Sequence, residues 1–160
     1  MLVPAIMYKD EIDKRFAEYN YSDDMFNYTG CLCNTCIDWK RDSDDGRVDY
    51  AIVDKDKHLL GFFSYHIDWY SSCAHWFGLF AFERGSSLIG LDVYKELEKL
   101  IHQYHLHRIE WRMIGGNPVE RHYDKFCQKY NGKKFVLTDA TKDRYGNYHD
   151  DVIYEIILPK

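Results

Sequence analysis

Apolar and polar positions change their period several times along the chain. Val48, Tyr50 and Ile52 alternate with other positions, and after Asp54-Lys55-Asp56-Lys57 an apolar run resumes from Leu59 to Trp69. Two such runs joined by a short polar turn predict a β-hairpin. Tyr70-Ser71-Ser72 is a second turn, so the run Cys73 to Phe82 extends the hairpin into a three-strand meander. The period then becomes helical: Leu88, Leu91, Tyr94, Leu97, Leu100 and Ile101 predict a helix from Ser87 to near His105. From His107 to Ile114 the alternation of Ile109, Trp111 and Met113 returns to that of a strand. Asn117-Pro118 opens a further helix to about Tyr130, with Asn117 as N-cap and Pro118 as first helical residue. Gly132 suits a left-handed cap at its end. Two closing strands, Lys134 to Thr138 and Val152 to Leu158, flank a long loop containing Tyr145-Gly146-Asn147. At the other end, a strand from Leu2 to Met7 leads into a helix over Asp10 to Tyr19, and Tyr21 to Gly46 is polar and irregular. This order predicts a mixed α/β sheet in a single domain covering residues 1–160, with a variable region at 1–46 and a core at 47–160.

Composition narrows the function classes. A length of 160 residues with 46% hydrophobic and 17% aromatic content supports one well-buried core. A formal charge of −5 argues against nucleic acid, whose phosphates are held mainly by Lys and Arg, and is compatible with a cationic partner such as an amine. No apolar run approaches the roughly 20 residues that span a bilayer, so no membrane partner is expected. The stretch Met1 to Arg15 is too charged for a signal peptide, which predicts a cytoplasmic location and reduced thiols.

Two local patterns suggest chemistry. The buried run ending at Phe82 gives way to Glu83-Arg84-Gly85-Ser86-Ser87 and then to a helix. A small-residue turn opening a helix presents unpaired backbone N–H groups and the positive end of the helix dipole, which suits a phosphate or pyrophosphate. Separately, Cys31, Cys33 and Cys36 place three thiols within six residues. Zinc would accept them with a fourth ligand from Cys73, His66 or Asp38, but the chain lacks the second half of a two-part zinc signature, which favours reduced loop thiols.

The element order, the turn at Arg84 and the helix carrying Asn117 and Tyr123 together resemble the GCN5-related N-acetyltransferase (GNAT) superfamily over about Val48 to Leu158. Family members carry Arg/Gln-x-x-Gly-x-Gly/Ala in that turn. Arg84-Gly85-Ser86-Ser87-Leu88-Ile89 occupies its six places, with Ser87 where Gly is usual, Ile89 where Gly or Ala is usual, and Gly90 one residue late. Gly115 to Tyr123 is similar to a subgroup found in phage and Gram-positive bacterial proteins.

The resemblance implies a mostly antiparallel twisted sheet flanked by helices, and transfer of an acetyl group from acetyl-CoA to a primary amine on a small molecule or peptide. It implies that the turn Arg84, Gly85, Ser86, Ser87 and Leu88 holds the pyrophosphate, Asn117 positions the pantetheine arm and Tyr123 protonates the leaving thiolate. It further implies a bulge in the fourth strand at Leu79, Phe80 and Ala81, eased by Gly78, that frees amides for the oxyanion. Acetyl transfer also needs a base, and Glu83, Glu110, His75 and Asp68 are the candidates. Pairing of C-terminal strands in such proteins leaves room for a homodimer. Two other readings stay open: a GNAT-like binding or interaction protein without activity, and a zinc-stabilised regulatory protein built on Cys31, Cys33 and Cys36.

Overall fold

The computed structural model describes residues 1–20, 22, 37, 39, 46–83 and 85–159. Arg84 and the cysteines at 31, 33 and 36 therefore lie outside the described residues, as does Asp38.

Seven strands form one sheet: β1 (Leu2–Pro4), β2 (Arg47–Val53), β3 (Leu59–Asp68), β4 (Cys73–Ala81), β5 (Arg108–Ile114), β6 (Lys133–Lys142) and β7 (Tyr148–Ile157). Their order is β1-β2-β3-β4-β5-β7-β6, and every neighbouring pair is antiparallel except β4 and β5. Among the described residues the α-helices are α1 (Lys9–Tyr19), α2 (Ser87–His102) and α3 (Glu120–Lys129). The strand expected over Leu2 to Met7 stops at Pro4, and Ala5–Tyr8 turns as a 3-10 helix into α1.

Alternation along the strands divides two cores. Ile12 and Phe16 of α1 pack on Ala51, Val53, Phe62, Phe80 and Phe82 on one face. The Phe16 ring meets those of Phe62, Phe80 and Phe82 edge-on at centroid distances of 5.6, 4.5 and 6.0 Å, a favoured aromatic geometry. On the other face α2 and α3 cover Phe63, Tyr65, Ile67, Ala74, Ile109, Trp111 and Met113. Glu96 is a buried carboxylate on this side; Tyr65 and Tyr50 donate to its Oε1 at 2.6 and 3.3 Å, which ties α2 to the sheet.

Three local expectations change. Helix α3 begins at Glu120, not at Pro118: Asn117 Oδ1 accepts from the Val119 N–H at 3.2 Å, closing a side-chain turn ahead of the helix. At its other end the left-handed residue is Asn131 (φ 53°), with the Asn131 and Gly132 N–H groups donating to the Gln128 and Cys127 carbonyls. Gly132 is needed for space, since a Cβ there would lie 2.6 Å from Cys127 Sγ and 2.7 Å from the Glu155 carbonyl. The loop expected between the last two strands is mostly strand. β6 runs through a bulge, Asp139 taking φ 52°, and only 143–147 turns, with Asp143 accepting from Tyr145 N–H and Asn147 N–H at 2.9 Å each.

Candidate active site

The parallel strands β4 and β5 pair only at Cys73↔Arg108 and Ala74↔Ile109. Beyond that point β4 stays bound to β3 up to Ala81, while β5 stays bound to β7 up to Ile114. The two strands therefore part toward their carboxyl ends, where open α/β sheets receive ligands. The wedge encloses about 350 Å³, part of it open to solvent. Phe77 and Leu79 of β4 form one wall, Val93 and Leu97 of α2 another, and Trp111 with Tyr123 of α3 the third.

A bulge bends β4 at the mouth of the wedge. Between the pairs Ser64↔Gly78 and His66↔His75, β3 contributes Tyr65 alone and β4 contributes Trp76 and Phe77. Trp76 adopts φ 55°, with its indole over the rings of His75 and His66 at 4.4 and 5.2 Å. The bulge expected at Leu79, Phe80 and Ala81 is not there. Those residues keep regular register with Phe63, Phe62 and Gly61. A glycine drew attention to the wrong end of the strand: the extra residue is carried by a left-handed tryptophan held between two histidines.

Tyr123 projects from α3 into the wedge, and its surroundings fix it. Its ring meets Trp111 and Tyr154 edge-on at 5.9 and 6.0 Å, and Trp111 stacks on Tyr154 at 5.1 Å. The Tyr154 hydroxyl donates to Asp124 of α3 at 2.7 Å, and Lys134 of β6 pairs with the same carboxylate at 2.8 Å. Burial pushes the Tyr123 phenol up to about 12, so it carries its proton at any physiological pH. The indole N–H of Trp111 is buried and meets no acceptor among the described residues. Trp111 was read from its alternation only as a core residue; an unmet donor is not visible in a pattern of apolar positions.

At the start of α2, Gly85 takes φ 80° and Ser86 is the N-cap in an extended conformation. Among the described residues no side chain caps the helix, and no acidic residue occupies its first turn, which leaves the amides of Ser87 and Leu88 free of a competing anion within the helix. Ile89 is buried in the core below. Its bulk at a position where the resemblance expects a small residue is thus taken up inside the protein. A Cβ added at Gly90 would meet nothing within 4 Å.

The base candidates separate. His75, Glu110 and Asp68 share the sheet face opposite Tyr123, because their neighbours Ala74, Ile109 and Ile67 face α2 and α3. His75 is the first β4 residue past the end of the β4–β5 ladder. Its pKa is lowered by burial and by neighbouring His66, which keeps the imidazole neutral and able to accept a proton. Asp68 accepts from Ser71 Oγ at 2.7 Å and from the Tyr70 and Ser71 N–H groups, so it caps the β3–β4 turn and its acidity is increased. Glu110 sits opposite Glu155 in the ladder, and Arg108 bridges both carboxylates at 2.5 and 2.9 Å. Glu83 stands apart: it is exposed at the far end of β4, 3.6 Å from Arg15 of α1. His66, offered by the sequence only as a fourth zinc ligand, joins this face together with Arg108 and Glu155. The register His66↔His75 is what brings the first of them in.

No family model and no curated protein matches the sequence. Solved structures do match. The spermidine/spermine N-acetyltransferase SpeG from Vibrio cholerae, crystallised with manganese ions, superposes with a TM-score of 0.58 at 16% identity, covering 92% of this chain and 74% of that one. A dodecameric spermidine N-acetyltransferase from Vibrio cholerae in an intermediate state gives 0.58 at 19% identity over 71% of this chain and 66% of its own. A chimera of the Vibrio cholerae enzyme and hSSAT gives 0.57 at 18% identity, covering 72% and 70%. This chain has the GNAT fold. Within that GNAT fold, the wedge, the β4 bulge and Tyr123 gather where the sheet parts.

Proposed function

We propose that the protein is an acetyl-CoA-dependent N-acetyltransferase acting on a primary amine that is cationic in solution. The observation that carries this reading is the wedge between β4 and β5, with Tyr123 on one wall. The residues present fit the acetyl donor. The first turn of α2 offers amides to a pyrophosphate, and Gly90 leaves its flank open. Asn117 closes the turn before α3, next to the path of a pantetheine arm running toward Tyr123.

The amine approaches from the opposite face, where Asp68, Glu110 and Glu155 outnumber Arg108 and favour a cation. The cationic amine first gives one proton to solvent, and His75 takes the second from the nitrogen as it attacks. The new C–N bond forms as the C–S bond breaks, and the electron pair leaves on sulfur. Tyr123 gives its proton to that thiolate. Backbone donors for the oxyanion come from the bulge at Trp76 and Phe77, since a bulge leaves ladder groups unpaired. Among the described residues no helix is long and apolar enough to cross a membrane.

The test is release of free thiol from acetyl-CoA in the presence of amines of rising charge, from monoamines to spermidine. Amine-dependent release is the expected result. Binding of acetyl-CoA with no release for any amine would turn the reading into that of a binding module.

A further inference from the structure

This inference rests on the acetyl-transfer reading above. Trp76 lies in the β4 bulge and takes φ 55°, a left-handed conformation that bulky side chains rarely adopt. Such strain persists only where the surrounding structure enforces it, and it gathers at ligand sites. The residue is 63% exposed, so one of the largest apolar side chains is held out in water. Its ring stands over those of His75 and His66 at 4.4 and 5.2 Å, which puts it on their face of the sheet, just past the last β4–β5 pair. A nitrogen that gives its proton to His75 comes within hydrogen-bond reach of that imidazole, and the indole borders the same approach. Charge on the strands around it is mostly negative. Glu110 and Asp68 act on His75 against Arg108, and Arg108 is itself bridged to Glu110 and Glu155. Arg47 and Arg112 of the same face are paired with Asp49 and Asp151. The reacting nitrogen is neutral when it attacks, so it does not answer the surplus of carboxylates.

We propose that Trp76 is a specificity-determining residue whose indole receives a second, non-reacting cationic group of the acceptor. One amine of the acceptor loses its protons and attacks the thioester, while the other group stays charged against the ring. A cation over an aromatic face is attracted by the ring quadrupole, and tryptophan binds it best of the aromatic side chains. The carboxylates of this face draw the acceptor in over a longer range, and Trp76 makes the contact. Because the second group keeps its charge throughout, the contact is made alike before and during the reaction. It therefore acts on the KM for the amine.

The experiment measures thiol release from acetyl-CoA by the full chain, by Trp76→Leu and by Trp76→Phe. The acceptors are a linear terminal diamine and the amino alcohol of the same chain length. The ratio of their kcat/KM values is taken within each protein, so a general change in activity, or in the backbone of the bulge, cancels. The expected result is a preference for the diamine in the native protein that falls about fivefold in Trp76→Leu, through KM, and is partly kept in Trp76→Phe. All three proteins carry the same carboxylates, so a loss confined to the leucine variant reads the aromatic ring. No preference in the native protein, or an unchanged one in Trp76→Leu, would overturn the role of Trp76 while leaving the acetyltransferase reading standing. No thiol release with any amine would overturn the two together. Trp76→Gly repeats the measurement with a residue at ease at φ 55°, so the outcome does not depend on the folding of the leucine variant.

Discussion

At the residue scale, Tyr123 and His75 sit on opposite faces of the sheet at the point where it opens, one carrying a proton and the other able to take one. Tyr123→Phe should keep acetyl-CoA affinity within about twofold and reduce kcat by at least tenfold, within the range for a lost general acid. Calorimetry and steady-state kinetics on one preparation separate the two effects; weaker binding with unchanged kcat would remove the role. The phenol stays protonated up to about 12, so it gives no falling limb in the pH–rate profile below that value. His75 does titrate within range. Its depressed pKa places the rising limb of kcat/KM below pH 6.5, the ordinary histidine value, since the neutral form is the base. His75→Gln should abolish that limb while a higher one from the amine itself persists. Position along the chain was enough to single out Tyr123, His75 and Glu110. That His66 faces His75 was not legible there, because a cross-strand partner exists only once register is set.

At the element scale, α2 and α3 form the far walls of the wedge and are joined by one polar cluster. Lys129 donates to Glu98 at 2.7 Å and to Tyr94 at 2.6 Å, and Tyr130 donates to Glu98 at 2.5 Å. Burial alone would raise the Glu98 carboxyl, but bonds from Lys129, Tyr130 and Tyr94 outweigh it and hold the group at about 2. A depressed carboxylate contributes stability that is fully present above its ordinary value of 4.5 and is lost as pH falls from there to about 2. Glu98→Gln should therefore destabilise the protein by about 1 kcal/mol at pH 7, after allowing for partial exposure, and by only a small remainder at pH 2, where the group is half protonated. Urea unfolding at the two pH values reads the difference. Gly132→Ala forces a methyl against Cys127 Sγ and the Glu155 carbonyl and should cost about 1–3 kcal/mol by the same assay, with little effect on ligand binding. The strands and helices were legible from period alone. Their ends were less so: Asn117 bonds Val119 ahead of α3, and β6 continues past Thr138 through a bulge, both decided by hydrogen bonds that no periodicity encodes.

At the scale of the whole molecule, one irregularity organises the rest. Six neighbouring strand pairs hold the sheet together and the single parallel pair is the one that fails, after Ala74↔Ile109. An apolar core under α2 and α3 fixes one side of that opening, and α1 with its phenylalanine cluster fixes the other side of β4. The opening between them is a built feature, which is why a ligand is the economical account of it. A molecule bound there stabilises the fold by mass action, about 2.7 kcal/mol at a hundredfold excess over Kd, or roughly 5–11 °C in Tm for a chain of this size. The most direct measurement is calorimetric titration of the purified protein with acetyl-CoA. A Kd in the micromolar range, on the order of −8 kcal/mol, with one site per chain, is the predicted result. No heat and no rise in Tm at millimolar acetyl-CoA would contradict the assignment of the wedge, and with it the acetyltransferase.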